Sequence, residues 1–137
     1  MQWKDEYSVG IVEIDDQHKG FIDLFLLIDA AIGSRERWSD VFFKLEQLRD
    51  HARFHFAVEE SLMRMHGYPE QAIHADLHRE FMAKLDQLQM TTLSRQVTMD
   101  TVVFLRNWYE EHMKNADQAY VRHICGNIPA THARPLG

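Results

Sequence analysis

Chain-breaking residues divide this sequence into four long segments, each with the periodicity of an α-helix. Only six glycines and three prolines occur in 137 residues, and the first periodic segment stops at Gly33. The second stops at Gly67, and Pro69 suits the first turn of a third. No stretch has the alternation of a β-strand. Four helices of about 17 to 27 residues, joined by short turns, predict an all-α, up-down-up-down antiparallel four-helix bundle.

The same breaks predict the element boundaries. We expect a single domain with an N-terminal arm, four helices and an irregular C-terminal tail, over residues 1–14, 15–33, 39–65, 69–90, 94–124 and 125–137. Asp15 or Asp16 can cap the first helix, because a carboxylate accepts hydrogen bonds from the first backbone amides. The fourth helix is expected to begin between Ser94 and Thr98 and to continue unbroken towards Ile124.

Composition and charge argue against several kinds of partner. The formal net charge is −6, from 15 Lys and Arg against 21 Asp and Glu, and no basic run occurs. Nucleic acid and anionic membranes are therefore unfavourable partners. No apolar run approaches the ~20 residues of a membrane span, and the N-terminus lacks a signal-peptide pattern. Cys125 is the only cysteine, which rules out an internal disulfide and fits a reducing compartment. We expect a cytoplasmic monomer.

Polar residues interrupt the apolar stripe of every predicted helix. At helical spacing, six of them fall at inward positions, namely His18, His55, Glu59, His74, His78 and His112, and the carboxylate of Asp117 lies close by on the fourth helix. In an up-down-up-down bundle, the starts of the first and third helices lie beside the ends of the second and fourth. All seven residues are therefore expected to converge at one end of the core. Polar groups at core positions cost several kcal/mol unless they find partners.

Five imidazoles and two carboxylates in one place, with no Lys or Arg on those faces, require cations. His55 with Glu59, and His74 with His78, are spaced i, i+4, so each pair projects from one helical face ~6 Å apart. Imidazole with carboxylate suits first-row metals, and seven ligands exceed the four of a structural zinc site. Two metals that share two bridging carboxylates and a solvent bridge would use all seven and leave one position open.

The residues that carry this pattern resemble the bacterial hemerythrins over nearly the whole chain. The resemblance rests on the segments SVGIVEIDDQH, HFAVEESLM, GYP, HADLH and WYEEHMKNAD. In motif form these give a histidine in D-x-Q-H, followed by H-x-x-x-E, H-x-x-x-H and H-x-x-x-x-D. Each motif alone arises by chance on many helices, but all four in this order are specific.

The resemblance implies a non-haem di-iron site that binds O2. One iron would be ligated by His74, His78 and His112 and the other, which keeps the open position, by His18 and His55. Glu59, Asp117 and an oxo or hydroxo group would bridge the two irons. The resemblance also implies an apolar surround that limits the entry of water. The residues expected to form it are Ile22, Phe56, Leu77, Phe81 and Trp108.

Three polar residues beside the predicted ligands have more than one interpretation. Glu60, about 100° around the helix from the preceding glutamate, is expected at the surface as a solvated charge. His51, where the family often has tyrosine, is expected to hydrogen-bond within the bundle or else to act beside the site. Tyr109 lies one turn before His112, where relatives usually have an aliphatic residue over the O2 position. Its hydroxyl either reaches solvent or a backbone carbonyl, or it meets the ligand of the open iron.

Two classes of function fit such a site. The first is reversible O2 binding for storage, delivery or sensing, without turnover. The alternative is a di-iron enzyme that acts on peroxide or nitric oxide. Di-iron oxygenases use Glu-x-x-His pairs and more carboxylates than histidines. Here histidines outnumber carboxylates, so the sequence favours an O2-binding protein that is not an enzyme.

Overall fold

A computed structural model describes residues 2–93 and 99–126 of the chain. Its helices are α1 (Val12–Gly33), α2 (Trp38–Met65), α3 (Gln71–Leu93), α4 (Met99–Lys114) and α5 (Ala116–Cys125), preceded by a 3-10 turn over Asp5–Tyr7. Successive helices from α1 to α4 pack side by side, and α4 closes the ring against α1. The predicted four-helix bundle is confirmed. Within the described residues, no helix is long and apolar enough to cross a bilayer.

Helix α1 begins earlier than the sequence predicted. It starts at Val12, and its N-cap position makes no side-chain hydrogen bond. The carboxylate of Asp15 is buried, and it accepts hydrogen bonds from the Val9 amide at 2.9 Å and the Ser8 hydroxyl at 2.6 Å. Asp15 therefore ties the N-terminal segment to the first turn of α1. The prediction that Asp15 or Asp16 is the N-cap is wrong, because the helix has already begun before either residue.

The segment that precedes α1 is fastened across α4 and α5. Tyr7 is buried, and its hydroxyl donates to Glu110 Oε1 at 2.9 Å. The side-chain amide of Gln118 donates to the backbone carbonyls of Glu6, Tyr7 and Ser8, the closest at 3.0 Å. These contacts close the end of the bundle at which the polar residues were predicted to converge.

The turn between α2 and α3 contains both of its predicted chain breakers. Gly67 has a φ of 63°, a left-handed conformation that glycine adopts without strain. Pro69 lies in the turn itself and not in the first turn of α3, which begins two residues later. The predicted start of the fourth helix, within residues 94–98, lies outside the described residues. So do residues 127–137 of the predicted tail.

The predicted fourth helix is interrupted at Asn115, which separates α4 from α5 with φ −113° and ψ −68°. On an unbroken helix, residues five apart point ~140° away from each other. His112 and Asp117 would then face different directions. With the interruption, His112 Nε2 lies 3.1 Å from Asp117 Oδ1. The prediction of a continuous helix to Ile124 is wrong, and the break explains the five-residue spacing of the motif.

The apolar core consists of two clusters with a polar layer between them. The larger cluster lies among α1, α2, α3 and α4, and includes Phe21 and Phe56. The smaller cluster lies among the N-terminal segment, the start of α1, α2 and α5, and includes Ile14 and Met63. On α1 and α2, the inward positions between these two clusters carry histidine and glutamate. Any group in this layer is therefore covered by hydrocarbon on both sides.

Candidate metal centre

Seven polar side chains converge in the layer between the two clusters, and none is more than 5% exposed. They form two sets of donor atoms, Glu59, His74, His78, His112 and Asp117 in one, and His18, His55, Glu59 and Asp117 in the other. Within each set the donor atoms lie within 4.8 Å of one another. Glu59 and Asp117 belong to both sets. The structure thus brings together the seven residues that the sequence placed at one end of the core.

Asp117 contacts three of the histidines from the first turn of α5. Its Oδ1 atom lies 3.1 Å from Nε2 of both His74 and His112. Its Oδ2 atom lies 3.1 Å from Nε2 of His18. Burial and the nearby Glu59 carboxylate act to raise the pKa of Asp117, but His112 and His18 outweigh them and lower it. The aspartate is therefore an anion whose two oxygens face different donor sets.

Glu59 occupies the equivalent position on α2. Its Oε1 atom lies 3.1 Å from His55 Nε2 and 3.3 Å from His78 Nε2, so one oxygen faces both donor sets. Its Oε2 atom lies 3.8 Å from His18 Nε2 and accepts a hydrogen bond from the Tyr120 hydroxyl at 2.7 Å. Burial acts to raise the pKa of Glu59, but the surrounding imidazoles outweigh it and hold it well below its ordinary value.

The electrostatics of this layer favour cations. Burial acts to lower the pKa of His18, but its contacts with Asp117 and Glu59 outweigh that effect and raise the pKa to about 9. Burial lowers the pKa of His55, and the neighbouring His18 adds to that shift. A carboxylate pair that stabilises a positive charge at His18 against the cost of burial would stabilise a metal cation in the same way.

Apart from His78 Nε2 and His112 Nε2, which pair at 3.2 Å, the donor atoms are arranged for a common third body and not for one another. Unpartnered buried atoms within the described residues include His18 Nε2, His55 Nε2, His74 Nε2, Glu59 Oε1 and both carboxylate oxygens of Asp117. Their short contacts lack the alignment of hydrogen bonds. Two ligands at adjacent positions on one first-row metal, each ~2.1 Å from it, stand ~3.0 Å apart. The observed separations of 3.1 Å match that value.

The composition of the two sets indicates which metals fit. All seven donors are imidazole nitrogens or carboxylate oxygens, and the sets offer five and four protein ligands with two shared. The total of seven donors exceeds the four that one tetrahedral zinc uses, and two sets that share two donors suit a pair of six-coordinate first-row metals. The residues present therefore fit a di-iron pair. The set with four donors leaves one more position open than the set with five.

Two ligand histidines are held by acceptors on their outer nitrogens. His55 Nδ1 donates to Gln17 Oε1 at 2.6 Å, and His78 Nδ1 donates to Glu60 Oε2 at 2.9 Å. A proton on Nδ1 leaves Nε2 free to ligate, and the acceptor fixes the orientation of the ring. The expectation that Glu60 is a solvated surface charge is wrong. Its position on α2 faces α3, and its side chain, 24% exposed, reaches the imidazole across that interface.

Gln17 was not among the predicted functional residues, although it belongs to the D-x-Q-H motif. One residue before His18, it points ~100° away from the ligand position, towards α2. The only available signal was its fixed place in the motif beside a predicted ligand.

His51 supports the same region through the backbone. Its Nε2 donates to the carbonyl oxygen of Gln17 at 2.7 Å, and its ring lies parallel to that of His55 with centroids 6.5 Å apart. The expectation that His51 is hydrogen-bonded within the bundle is confirmed. Close packing against α1 requires Gly20, because a Cβ atom there would lie 2.8 Å from His51 Cε1. His51 thus holds the backbone of the residue whose side chain orients His55.

Aromatic rings cover the outer side of the five-donor set. Phe56 stacks on His78 with ring centroids 3.9 Å apart, and Trp108 stacks on His112 at 4.7 Å. Phe81 is fully buried between them and contacts both rings. These rings lie where the sequence predicted an apolar surround. They shield the imidazoles from bulk water.

The remaining predicted surround residues differ in exposure. Ile22 is buried in the larger core cluster, whereas Leu77 is only partly buried. Leu77 and Trp108 line a cavity of about 460 Å³ that is open to solvent and reaches His112. A smaller recess of about 280 Å³ reaches His78 and is lined by Glu60 as well. Solvent-accessible space thus comes within one side chain of the five-donor set.

Tyr109 is fully buried in the larger cluster, close to the other donor set. Its ring stacks on Phe21 with centroids 4.2 Å apart and meets the His18 ring edge-on at 6.0 Å. Within the described residues, its hydroxyl has no hydrogen-bond partner. Burial, followed by the charges of Asp117 and Glu59, raises the pKa of the phenol well above its ordinary value. The alternative in which this hydroxyl reaches solvent or a backbone carbonyl is wrong.

Five histidines and two carboxylates, buried inside a four-helix bundle, form a cluster that could hold metal ions. Comparison with known families agrees with a cation-binding site. The sequence profile described as "Hemerythrin HHE cation binding domain" matches residues 9–124. The chain therefore belongs to the hemerythrin HHE cation-binding domain family, as the motifs suggested.

Individual relatives are similar over most of their length. The bacteriohemerythrin of Stenotrophomonas maltophilia is 29% identical over 127 residues, which cover 92% of this chain and 82% of the relative. That of Methylococcus capsulatus is 31% identical over 119 residues, or 84% and 88% of the two chains. A crystal structure of wild-type hemerythrin superposes with a TM-score of 0.81 at 27% identity, covering 90% of this chain and 97% of that one. A variant with a leucine replaced by tyrosine gives 0.83 at 28% identity, covering 90% and 96%.

Proposed function

We propose that this protein binds dioxygen reversibly at a non-haem di-iron centre, for storage, delivery or sensing and without turnover. The observation that carries the proposal is the inequality of two donor sets that share Glu59 and Asp117. Because one set has five protein donors and the other four, one iron keeps an open position for a small ligand. The names of the relatives, bacteriohemerythrin and hemerythrin, support this assignment.

In the proposed centre the seven residues have distinct roles. One iron would be held by His74, His78 and His112, and the other by His18 and His55. Glu59 and Asp117 would be shared by the pair, together with an oxo or hydroxo group. Bound as a ferrous pair, the irons would supply the electrons that hold O2 reversibly.

The chain contributes orientation around these ligands. Gln17 and Glu60 accept the Nδ1 protons of His55 and His78, which leaves the Nε2 lone pairs directed at the metals. The Tyr120 hydroxyl donates to Glu59 Oε2 and fixes the rotation of that carboxylate. These contacts hold the donor geometry while ligands enter and leave.

The apolar surround excludes water and admits small uncharged molecules. Ile22, Phe56 and Phe81 are buried and present hydrocarbon to the centre. Leu77 and Trp108 line the cavity that reaches His112 from solvent. Oxygen, which is small and apolar, can pass such a surround at little cost in desolvation. Nitric oxide has the same properties and is a second ligand that the site would accept.

The enzymatic alternative has weaker support. Five histidines face two carboxylates, whereas di-iron oxygenases use more carboxylates than histidines. A carboxylate-poor centre stabilises high oxidation states less well, which favours binding over turnover of peroxide. We further propose a cytoplasmic monomer, supported by the single cysteine and by the absence of a membrane-spanning helix in the described residues.

A cycle of oxygenation tests the proposal. Deoxygenated, iron-loaded protein is exposed to air and then returned to vacuum while its visible spectrum is recorded. Charge-transfer bands should appear in air and disappear under vacuum, over repeated cycles. Irreversible bleaching with release of peroxide would instead support the enzyme, and no spectral change in air would exclude both functions.

A further inference from the structure

Buried tyrosines of this protein differ in whether their hydroxyl has a protein partner. Tyr7 donates to Glu110 at 2.9 Å, and Tyr120 donates to Glu59 at 2.7 Å. Tyr109 is as deeply buried as both, yet within the described residues its hydroxyl has no partner. A buried hydroxyl without a partner is unfavourable and uncommon in folded proteins. A ligand bound at the candidate metal centre is therefore a candidate partner for the Tyr109 hydroxyl.

The Tyr109 ring packs mainly against phenylalanine rings. Phe21 stacks against it, and Phe25 and Phe81 lie at its sides with centroids 6.1 and 6.3 Å away. These neighbours are hydrocarbon. The other unpartnered buried atoms at this end of the bundle all belong to the seven donor residues. Tyr109 belongs to the larger apolar cluster, and its hydroxyl is not one of the clustered donors.

Tyr109 also lies beside the donor set that has the open position. Of the five histidines, His18 is the one whose ring it contacts among the described ring pairs, at 6.0 Å. His18 belongs to the set with four protein donors. A small ligand that completes this set would enter the space that the phenol borders.

We propose that the Tyr109 hydroxyl donates a hydrogen bond to the diatomic ligand at the open position and thereby slows its release. The inference rests on the proposed function and deepens it, because it assigns a residue that sets the lifetime of the bound ligand. A neutral phenol can donate to an oxygen atom of O2, whereas phenylalanine and leucine cannot.

The direct test compares wild type with Tyr109→Phe and Tyr109→Leu. O2 dissociation from the iron-loaded protein is followed by stopped flow with an O2 scavenger. Both variants should release O2 roughly tenfold faster, the effect of losing one hydrogen bond of ordinary strength. The isotope-sensitive vibration of the bound ligand should also shift between wild type and Tyr109→Phe, since the hydrogen bond changes the O–O bond strength.

Tyr7→Phe provides a matched control that also removes one hydroxyl from a buried tyrosine. The Tyr7 hydroxyl has a protein partner, so its removal should lower the unfolding midpoint of the O2-free, iron-loaded protein. O2 dissociation should stay at the wild-type rate. In Tyr109→Phe the pattern should be reversed, with an unchanged or higher midpoint in the O2-free protein and faster dissociation.

An unchanged or slower dissociation rate in Tyr109→Phe would overturn the inference, as would an unshifted ligand vibration. A lowered midpoint in the O2-free protein would also overturn it, by showing that the hydroxyl has a structural partner. Failure of the proposed function is distinguishable, because wild type itself would then show no reversible spectrum.

Discussion

Both ends of the bundle contain clustered polar residues, but the charges of the two clusters are neutralised in different ways. At the far end, between α2 and α3, Arg49 lies 3.1 Å from Asp86 and donates to Gln89, which in turn donates to Glu46. We call these four residues the far-end network. Its charges are of both signs, and its arginine is 32% exposed. We call the other end, which contains the seven donors, the metal end. It has no lysine or arginine among those donors, and Glu59 is 0% exposed.

This difference shows how a structural polar cluster can be told from a metal site. In the far-end network a guanidinium neutralises the carboxylates, and solvent screens what remains. At the metal end, carboxylates and imidazoles face one another at 3.1 Å without the alignment of hydrogen bonds. A buried cluster of this kind is costly unless positive charge, from metal ions or from protonated imidazole, neutralises the carboxylates.

The largest effect is expected from the shared carboxylates. Glu59→Ala or Asp117→Ala removes a ligand from both donor sets at once, so the iron content should fall from two per chain to one or none. The matched far-end variant Glu46→Ala should retain both irons, since Glu46 pairs with Arg49 and Gln89 and is not one of the seven donors. Iron analysis of the three purified variants checks this. Two irons in either metal-end variant would contradict the bridging roles.

A smaller effect is expected from Glu60. Glu60→Ala removes the acceptor of His78 Nδ1, and loss of such an outer partner typically weakens metal affinity ~10–100-fold. Glu60→Gln keeps a carbonyl oxygen at the same place and should recover most of the affinity. Competition with a chelator measures both variants. Equal affinity in wild type and Glu60→Ala would mean that this hydrogen bond does not orient the histidine.

Two glycine substitutions in α1 compare how tightly the helix is packed at the two ends of the bundle. Gly20→Ala places a Cβ atom 2.8 Å from His51 Cε1, and overpacking of this kind costs ~1–3 kcal/mol. The unfolding midpoint should fall by roughly 3 °C for each kcal/mol in a domain of this size. Gly33→Ala is the control at the other end of the same helix, with nothing within 4 Å of the added atom. Its midpoint should stay level or rise, and a fall equal to that of Gly20→Ala would exclude the steric explanation.

The smallest effect is expected in the far-end network. Asp86→Ala removes the partner of Arg49, and a partly exposed ion pair contributes at most ~1 kcal/mol to the free energy of unfolding. Denaturant titration at low and high salt measures that contribution, which should shrink as salt screens the charges. A salt-independent loss of several kcal/mol in the free energy of unfolding would contradict this expectation. The far end would then depend on its charges as strongly as the metal end.

Sequence alone was sufficient for the fold and for the convergence of the seven donors. Both depend on helical periodicity and on the depth of each residue in an antiparallel bundle. His55 and Glu59 are one turn apart near the end of α2, and His74 and His78 are one turn apart near the start of α3. Those relations hold whatever the exact rotation of each helix.

The misjudged residues depend on local geometry that periodicity does not contain. Glu60 was expected in solvent because it lies about 100° around α2 from Glu59, a direction that was assumed to face outward. On α2 this direction faces the interface with α3. Asn115 gives no compositional sign that a helix stops there. Asp15 resembles an N-cap in sequence, but its carboxylate receives the folded-back segment at Val9 and Ser8. Each case needs the relative rotation of two elements, which only the packed structure provides.

Anaerobic titration of metal-depleted protein with ferrous iron tests the central claim most directly. If two donor sets share Glu59 and Asp117, binding should break at two irons per chain, and subsequent exposure to air should produce charge-transfer bands that vacuum removes. A break at one metal per chain, or a preference for a single zinc ion in the presence of excess iron, would contradict the paired centre.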